Sequence, residues 1–81
     1  MKRQETAKAI KILKMVYPNS YRNATIGDVE ETIELWTELF EKDDGEIVLA
    51  AVKKLVTELK YHPSIAEIKE EIKPKLFYPE E

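Results

Sequence analysis

No cysteine occurs in this chain of 81 residues, so neither a disulfide nor a thiolate site is available to it. The single histidine, His62, cannot by itself build a metal centre of the His/Cys type. Only two glycines are present. Neither Gly-x-x-x-x-Gly-Lys nor Gly-x-Gly-x-x-Gly occurs, so no known phosphate-cradling loop exists here. The longest unbroken apolar run, residues 47–52, has six members, far below the roughly 20 needed to span a bilayer. The basic start Met1-Lys2-Arg3 is followed by Lys8, Lys11 and Lys14 rather than by an apolar signal core. These absences predict a soluble, cytoplasmic protein with no membrane partner.

A chain of this length forms one domain and buries only about 60–65% of the surface its unfolded form exposes. Its net charge of −3 conceals a split. Residues 1–22 carry six basic groups and one acid, residues 23–47 one lysine and nine acids, and residues 48–81 six of each. A basic start beside a strongly acidic middle points to internal attraction or to charged partners rather than to general DNA binding.

The apolar spacing is helical throughout. A first helix is predicted over residues 5–16, with Ala9, Ile10, Leu13, Val16 and Tyr17 inward and Pro18 ending it. Ile12 and Met15 widen its apolar arc toward a second neighbour. A polar connection follows. Thr25, with Asp28 three residues on, forms a capping box for a second helix over residues 26–41. Ile26, Val29, Ile33, Trp36 and Phe40 step by three and four along it, and Leu35 and Leu39 broaden that face. Asp43 or Asp44 caps a third helix over residues 45–59, with Val48, Ala51, Val52, Leu55, Val56 and Leu59 buried. The β-branched content of residues 47–52 makes a strand the competing reading, which the continuing helical period outweighs. Ser64 and Glu67 form another capping box, opening a short fourth helix from residue 65 to 72 or 73, with Ile65, Ile68 and Ile72 inward. The fold class expected is all-α, a compact bundle of about four helices with short connections. Residues 1–73 make the domain and residues 74–81 a C-terminal tail. Trp36, the largest apolar side chain, belongs near the centre, with its indole N–H needing a partner or a wet edge.

Nothing here suits catalysis. A nucleophile–base pair needs a histidine oriented by an acid, and His62 precedes a proline in a turn, where surface or capping contact is its expected role. No catalytic, cofactor-binding or metal-ligating residue is assigned, and no enzyme activity is expected. Glu30, Glu34, Glu38 and Glu41 line the outer face of the second helix. They read as a solvated face, as a docking surface for a basic partner or, least of all, as a cation site, since carboxylates four apart point outward in parallel. Like charges at that spacing cost the helix about 0.2–0.5 kcal/mol per pair, which keeps the docking reading in play. Lys2, Arg3, Lys8, Lys11 and Lys14 make the first helix basic. They either solubilise it and face the acidic second helix, or contact DNA or a protein. Leu76, Phe77 and Tyr78 either fold back over the core or form an anchor for a partner pocket.

Four blocks stand in order: Tyr17-Pro18-Asn19; Leu35-Trp36-x-x-Leu39-Phe40; Ile47-Val48-Leu49-Ala50-Ala51-Val52-Lys53; and Pro63-Ser64-Ile65-Ala66-Glu67-Ile68. Together, across about residues 4–73, they resemble the phage replicative helicase loader/inhibitor family. The resemblance implies a non-enzymatic adaptor without cofactors. Such an adaptor binds a hexameric replicative helicase, restrains it, and brings it to an origin-bound replisome organiser protein. In that family a helical N-terminal domain precedes a flexible C-terminal part associated with helicase contact, and here only residues 76–81 follow the last helix as such a tail. From the residue chemistry, the partner-binding candidates are Glu30, Glu34, Glu38 and Glu41 with Leu76, Phe77 and Tyr78. The alternative is a small helical DNA-binding regulator that uses the basic first helix.

Overall fold

Capping side chains and prolines set the ends of the helices in the computed structural model, which describes residues 1–73. Helix α1 spans Arg3–Val16, α2 Ile26–Leu39, α3 Gly45–Val56 and α4 Ile65–Ile72. No strand occurs among the described residues, and residues 47–52 are helical. The chain folds as the expected all-α bundle.

Each start has a stated cause. At α2 the Thr25 hydroxyl accepts the Asp28 N–H at 3.0 Å, and the Asp28 carboxylate accepts the Thr25 N–H at 3.1 Å. At α4 Ser64 and Glu67 make the same reciprocal pair at 3.1 and 2.8 Å. Both boxes satisfy N–H groups that a helix leaves without internal partners. At α3 the cap is Asp44, whose carboxylate accepts the Glu46 N–H at 2.9 Å. Helix α1 begins at Arg3, two residues before the expected start, because Glu5 reaches back to the Lys2 N–H at 2.8 Å and closes a further turn.

The core is drawn from all four helices. Ala9, Ile10 and Leu13 of α1, Ile33 and Trp36 of α2, Val48, Val52 and Leu55 of α3, and Ile68 of α4 are buried together with Tyr17 and Phe40. Helix α1 packs against both α2 and α3, and α4 packs on α3. Ala51 is buried, whereas Ala50 beside it is exposed. Trp36 lies in the core with Phe40 beside it, ring centroids 5.9 Å apart. Its indole N–H has no protein partner among the described residues and is not sealed from water, as the wet-edge reading expects.

Several expectations need correcting. Ile26, expected inward, is 81% exposed; it is the first residue of α2 and is not among the residues packed on the core. Met15 is 72% exposed, so only Ile12 of the two widening residues packs on the core. Helices α2 and α3 end at Leu39 and Val56 rather than at residues 41 and 59. Past Val56 the chain still turns helically, with the Leu59 N–H on the Leu55 carbonyl at 2.8 Å, and the Tyr17 hydroxyl donates to the Leu59 carbonyl at 2.8 Å. The connection after α1 contains a single 3-10 turn, Pro18–Tyr21, a common way to end an α-helix at a proline.

Candidate partner-binding surface

Helix α2 turns its buried stripe, Ile33 and Trp36, toward α1, and everything on its other side meets solvent. Glu30, Glu34 and Glu38 are exposed there, and Glu41 is exposed in the turn just past the end of α2. Glu34 meets Arg3 of α1 at 3.7 Å, with both side chains at least half exposed. Such a pair contributes little to stability.

Leu35 and Leu39 lie on the flank of α2 away from Glu30 and Glu34. Expected to broaden the buried face, they are instead 52% and 43% exposed. At 100° per residue they fall on the flank of α2 away from Ile33, next to Glu31 and Glu38, and among the described residues α2 packs on no helix but α1, with only the Lys69 side chain of α4 reaching the Leu39 carbonyl. Two leucines one turn apart, bordered by carboxylates, make an apolar strip with an acidic margin. A periodicity reading places these leucines on the edge of the apolar arc. It cannot say which edge meets a neighbour.

The lysines of α1 form no ion pair with this face among the described residues. Arg3–Glu34 is the one ion pair between α1 and α2 among the described residues, and Lys8, Lys11 and Lys14 form none there. The expected mutual facing of the basic first helix and the acidic second yields an ion pair only at the N-terminal turn of α1, while Lys14 and Glu30 line a common groove at the other end without pairing. The remaining candidates, Leu76, Phe77 and Tyr78, lie outside the described residues.

Of the surface or capping contact expected of it, His62 does not take the surface role. It is half-buried, with Nε2 2.6 Å from the Tyr21 hydroxyl and Nδ1 2.7 Å from the Pro63 carbonyl. The rings of Tyr17, Tyr21 and Trp36 surround it at centroid distances of 5.8, 5.4 and 6.3 Å. A carbonyl can only accept, so in the neutral ring Nδ1 carries the proton and Nε2 receives the Tyr21 hydroxyl. The cluster closes the end of the bundle. Burial pushes the Tyr21 phenol up to about 12.

Sequence reasoning also missed Lys69. Its ammonium donates to the Leu39 carbonyl at 2.7 Å and to the Asp43 carboxylate at 2.8 Å, and lies 4.7 Å from the centre of the Phe40 ring. A cation thus caps the C-terminal end of α2, where the helix dipole is negative. No local signal marks a partner 30 residues away.

Among the described residues no group of three or more His, Asp or Glu side chains converges as a cation site, and no helix is long and apolar enough to cross a membrane. What the surface offers is exposed leucine beside carboxylate on α2, and lysine beside methionine on α1. Comparison with known families then decides the lineage: residues 1–69 match the N-terminal domain of a phage helicase loader/inhibitor. The chain belongs to that family. The four sequence blocks of the loader/inhibitor resemblance lie within the matched residues. No curated protein and no solved structure matches the chain.

Proposed function

We propose that this chain is a non-enzymatic adaptor of phage DNA replication. It binds a hexameric replicative helicase, restrains its ATPase and unwinding, and helps deliver it to an origin-bound replisome organiser in the cytoplasm of the bacterial host. Membership of the loader/inhibitor family across residues 1–69 carries this reading. The residue chemistry is compatible with it, because the side chains on the surface are suited to contact rather than to bond making. The α2 face is the docking surface proposed for a basic, partly apolar partner patch: Glu30, Glu34, Glu38 and Glu41 steer the encounter, and Leu35 and Leu39 supply the desolvated contact. The leucines make this more than a solvated charge run, since a face meant only for water gains nothing from two half-exposed apolar side chains. The anchor role proposed for Leu76, Phe77 and Tyr78 concerns residues outside those described.

A pull-down of a phage or host replicative helicase, with and without ATP, tests the reading. Capture of the helicase and a fall in its ATPase rate are expected, with no ATPase from the chain alone. No helicase capture, together with tight duplex binding of steep salt dependence, would instead favour the DNA-binding regulator built on the basic α1.

A further inference from the structure

The solvent face of α1 is the least explained part of the surface. Lys8, Lys11 and Met15 stand exposed on it at helical spacing, and the apolar member, Met15, is 72% exposed. Beside them runs a groove of about 290 Å³ between α1 and α3, lined by Lys8, Lys11, Ile12, Met15, Leu49 and Lys53. Its floor is apolar, since Ile12 and Leu49 pack on the core from below. The three rim lysines form no ion pair among the described residues. Lysine stems lie readily along apolar surface while their ammonium groups stay in water. Methionine adapts its shape to a partner better than any branched side chain does.

The geometry points to this groove as a docking site for an acidic amphipathic helix of a partner protein. Charge complementarity selects the occupant: three cations ring an apolar floor, so the matching ligand carries carboxylates flanking an apolar stripe. Residues 8 to 15 cover about two helical turns, so the occupant engages through a short segment. A nucleic acid fits less well. It would leave the floor of Ile12, Met15 and Leu49 facing phosphate, and no arginine lines the groove. The inference goes beyond the adaptor reading and uses none of the α2 residues. It gives the molecule a second contact surface of opposite charge.

Backbone amide shifts of the full chain provide the test. Three probes are titrated: an amphipathic leucine–glutamate peptide of about three helical turns, its twin with lysine in place of glutamate, and a single-stranded oligothymidylate. The acidic peptide is expected to shift the amides of residues 8–15 and 49–53 saturably, more weakly at high salt, while the other two probes leave them unmoved. Met15→Glu should weaken the acidic peptide about tenfold, as loss of an interface anchor does. The pair Lys8→Glu with Lys53→Glu should do the same, and all three sites are exposed, so thermal melts should keep their midpoints. Absence of saturation, saturation elsewhere, an equal response to the lysine twin, or shifts of these amides by oligothymidylate would overturn the inference. So would peptide-free shifts that grow with protein concentration, which would assign the face to a second copy. Peptide failure with helicase capture intact removes the groove alone. Helicase failure with peptide binding intact removes the adaptor reading alone.

Discussion

The Tyr21 hydroxyl lies 2.6 Å from Nε2 of His62, joining the turn after α1 to the turn before α4. Both partners are half-buried, and the contact spans 41 residues. Tyr21→Phe should therefore cost about 1 kcal/mol, the net worth of one such hydrogen bond plus the ring nitrogen left without a donor. The phenol also gives the fold an alkaline limit. Its folded-state pKa of about 12 lies above the ordinary 10.0. The protonated form is thus the one that folding favours, and its contribution is fully present below pH 10 and lost as pH rises toward 12. Tyr61 shifts in the same direction, through its hydrogen bond to Glu67 first. Urea midpoints measured from about pH 8 to 12 should fall above about pH 10 in the native chain. The fall should be shallower in Tyr21→Phe, and an unchanged slope would place Tyr21 in solvent.

The Lys69–Asp43 pair should behave as a capping device rather than as a surface ion pair. The lysine ammonium also holds the Leu39 carbonyl and the Phe40 ring face. With side-chain exposures of 40% and 28%, part of the electrostatic gain is screened. Lys69→Met should cost about 1–2 kcal/mol, because a charged hydrogen bond to a helix-end carbonyl is lost. Asp43→Asn should cost less, since the lysine keeps its carbonyl partner. The two changes together should cost less than their sum in a double-mutant cycle read by chemical denaturation. Strict additivity would show that the two side chains do not act together.

The helices were legible because two independent local codes agreed. The apolar steps from Val29 to Phe40 and from Val48 to Leu55 gave the period, and Thr25–Asp28 and Ser64–Glu67 gave the starts, each found as a reciprocal cap. The burial of Trp36 followed from its place on that period. Trp36→Ala should remove about 3–5 kcal/mol, most of the stability of so small a domain, with the loss read by circular dichroism because the variant has no indole. What was not legible depended on which neighbour a face meets. Leu35, Leu39, Ile26 and Met15 sit at the margins of apolar arcs, and a single-helix pattern cannot tell a margin that is covered from one that is bare. Tyr21–His62 and Lys69–Leu39 are contacts between residues distant in the chain, to which periodicity is blind. The exposure of Glu30, Glu34 and Glu38 was legible because they repeat by four, but the bare leucines beside Glu31 and Glu38 emerged only from the packing.

Glu5 and Gly45 test a contact of a different kind. A Cβ built on Gly45 would fall inside the Glu5 carboxylate, which lies at the N-terminal end of α3 while capping α1. There the α3 dipole favours its negative charge. Gly45→Ala should be close to neutral, because a helix-propensity gain of about 1 kcal/mol is offset when the flexible Glu5 side chain swings away. The diagnostic is coupling. Glu5→Ala should cost about 1 kcal/mol in the native chain, the worth of a helix cap, and nearly nothing once residue 45 carries a methyl group. Equal costs in both backgrounds would mean that Glu5 keeps its place beside the added methyl.

The α2 face makes the sharpest functional prediction, because charge and apolar contact can be removed separately. Leu35→Gln with Leu39→Gln takes away the apolar strip at positions that are about half exposed without adding like charges to α2, so the domain should stay folded, with circular dichroism unchanged at the assay temperature. If this face docks the helicase, the loss should appear mainly as faster dissociation, with affinity weakened at least about tenfold for a desolvated pair of anchors. Reversing Glu30 and Glu38 to lysine should act mainly on the association rate, and its effect should shrink as salt rises past the point where the screening length falls below about 8 Å. Surface plasmon resonance against immobilised helicase at two salt concentrations separates the two. Should both variants bind as the native chain does, α2 is a solvated face. The contact with the helicase would then have to come from another part of the chain, and the leucines would be no more than scattered surface residues.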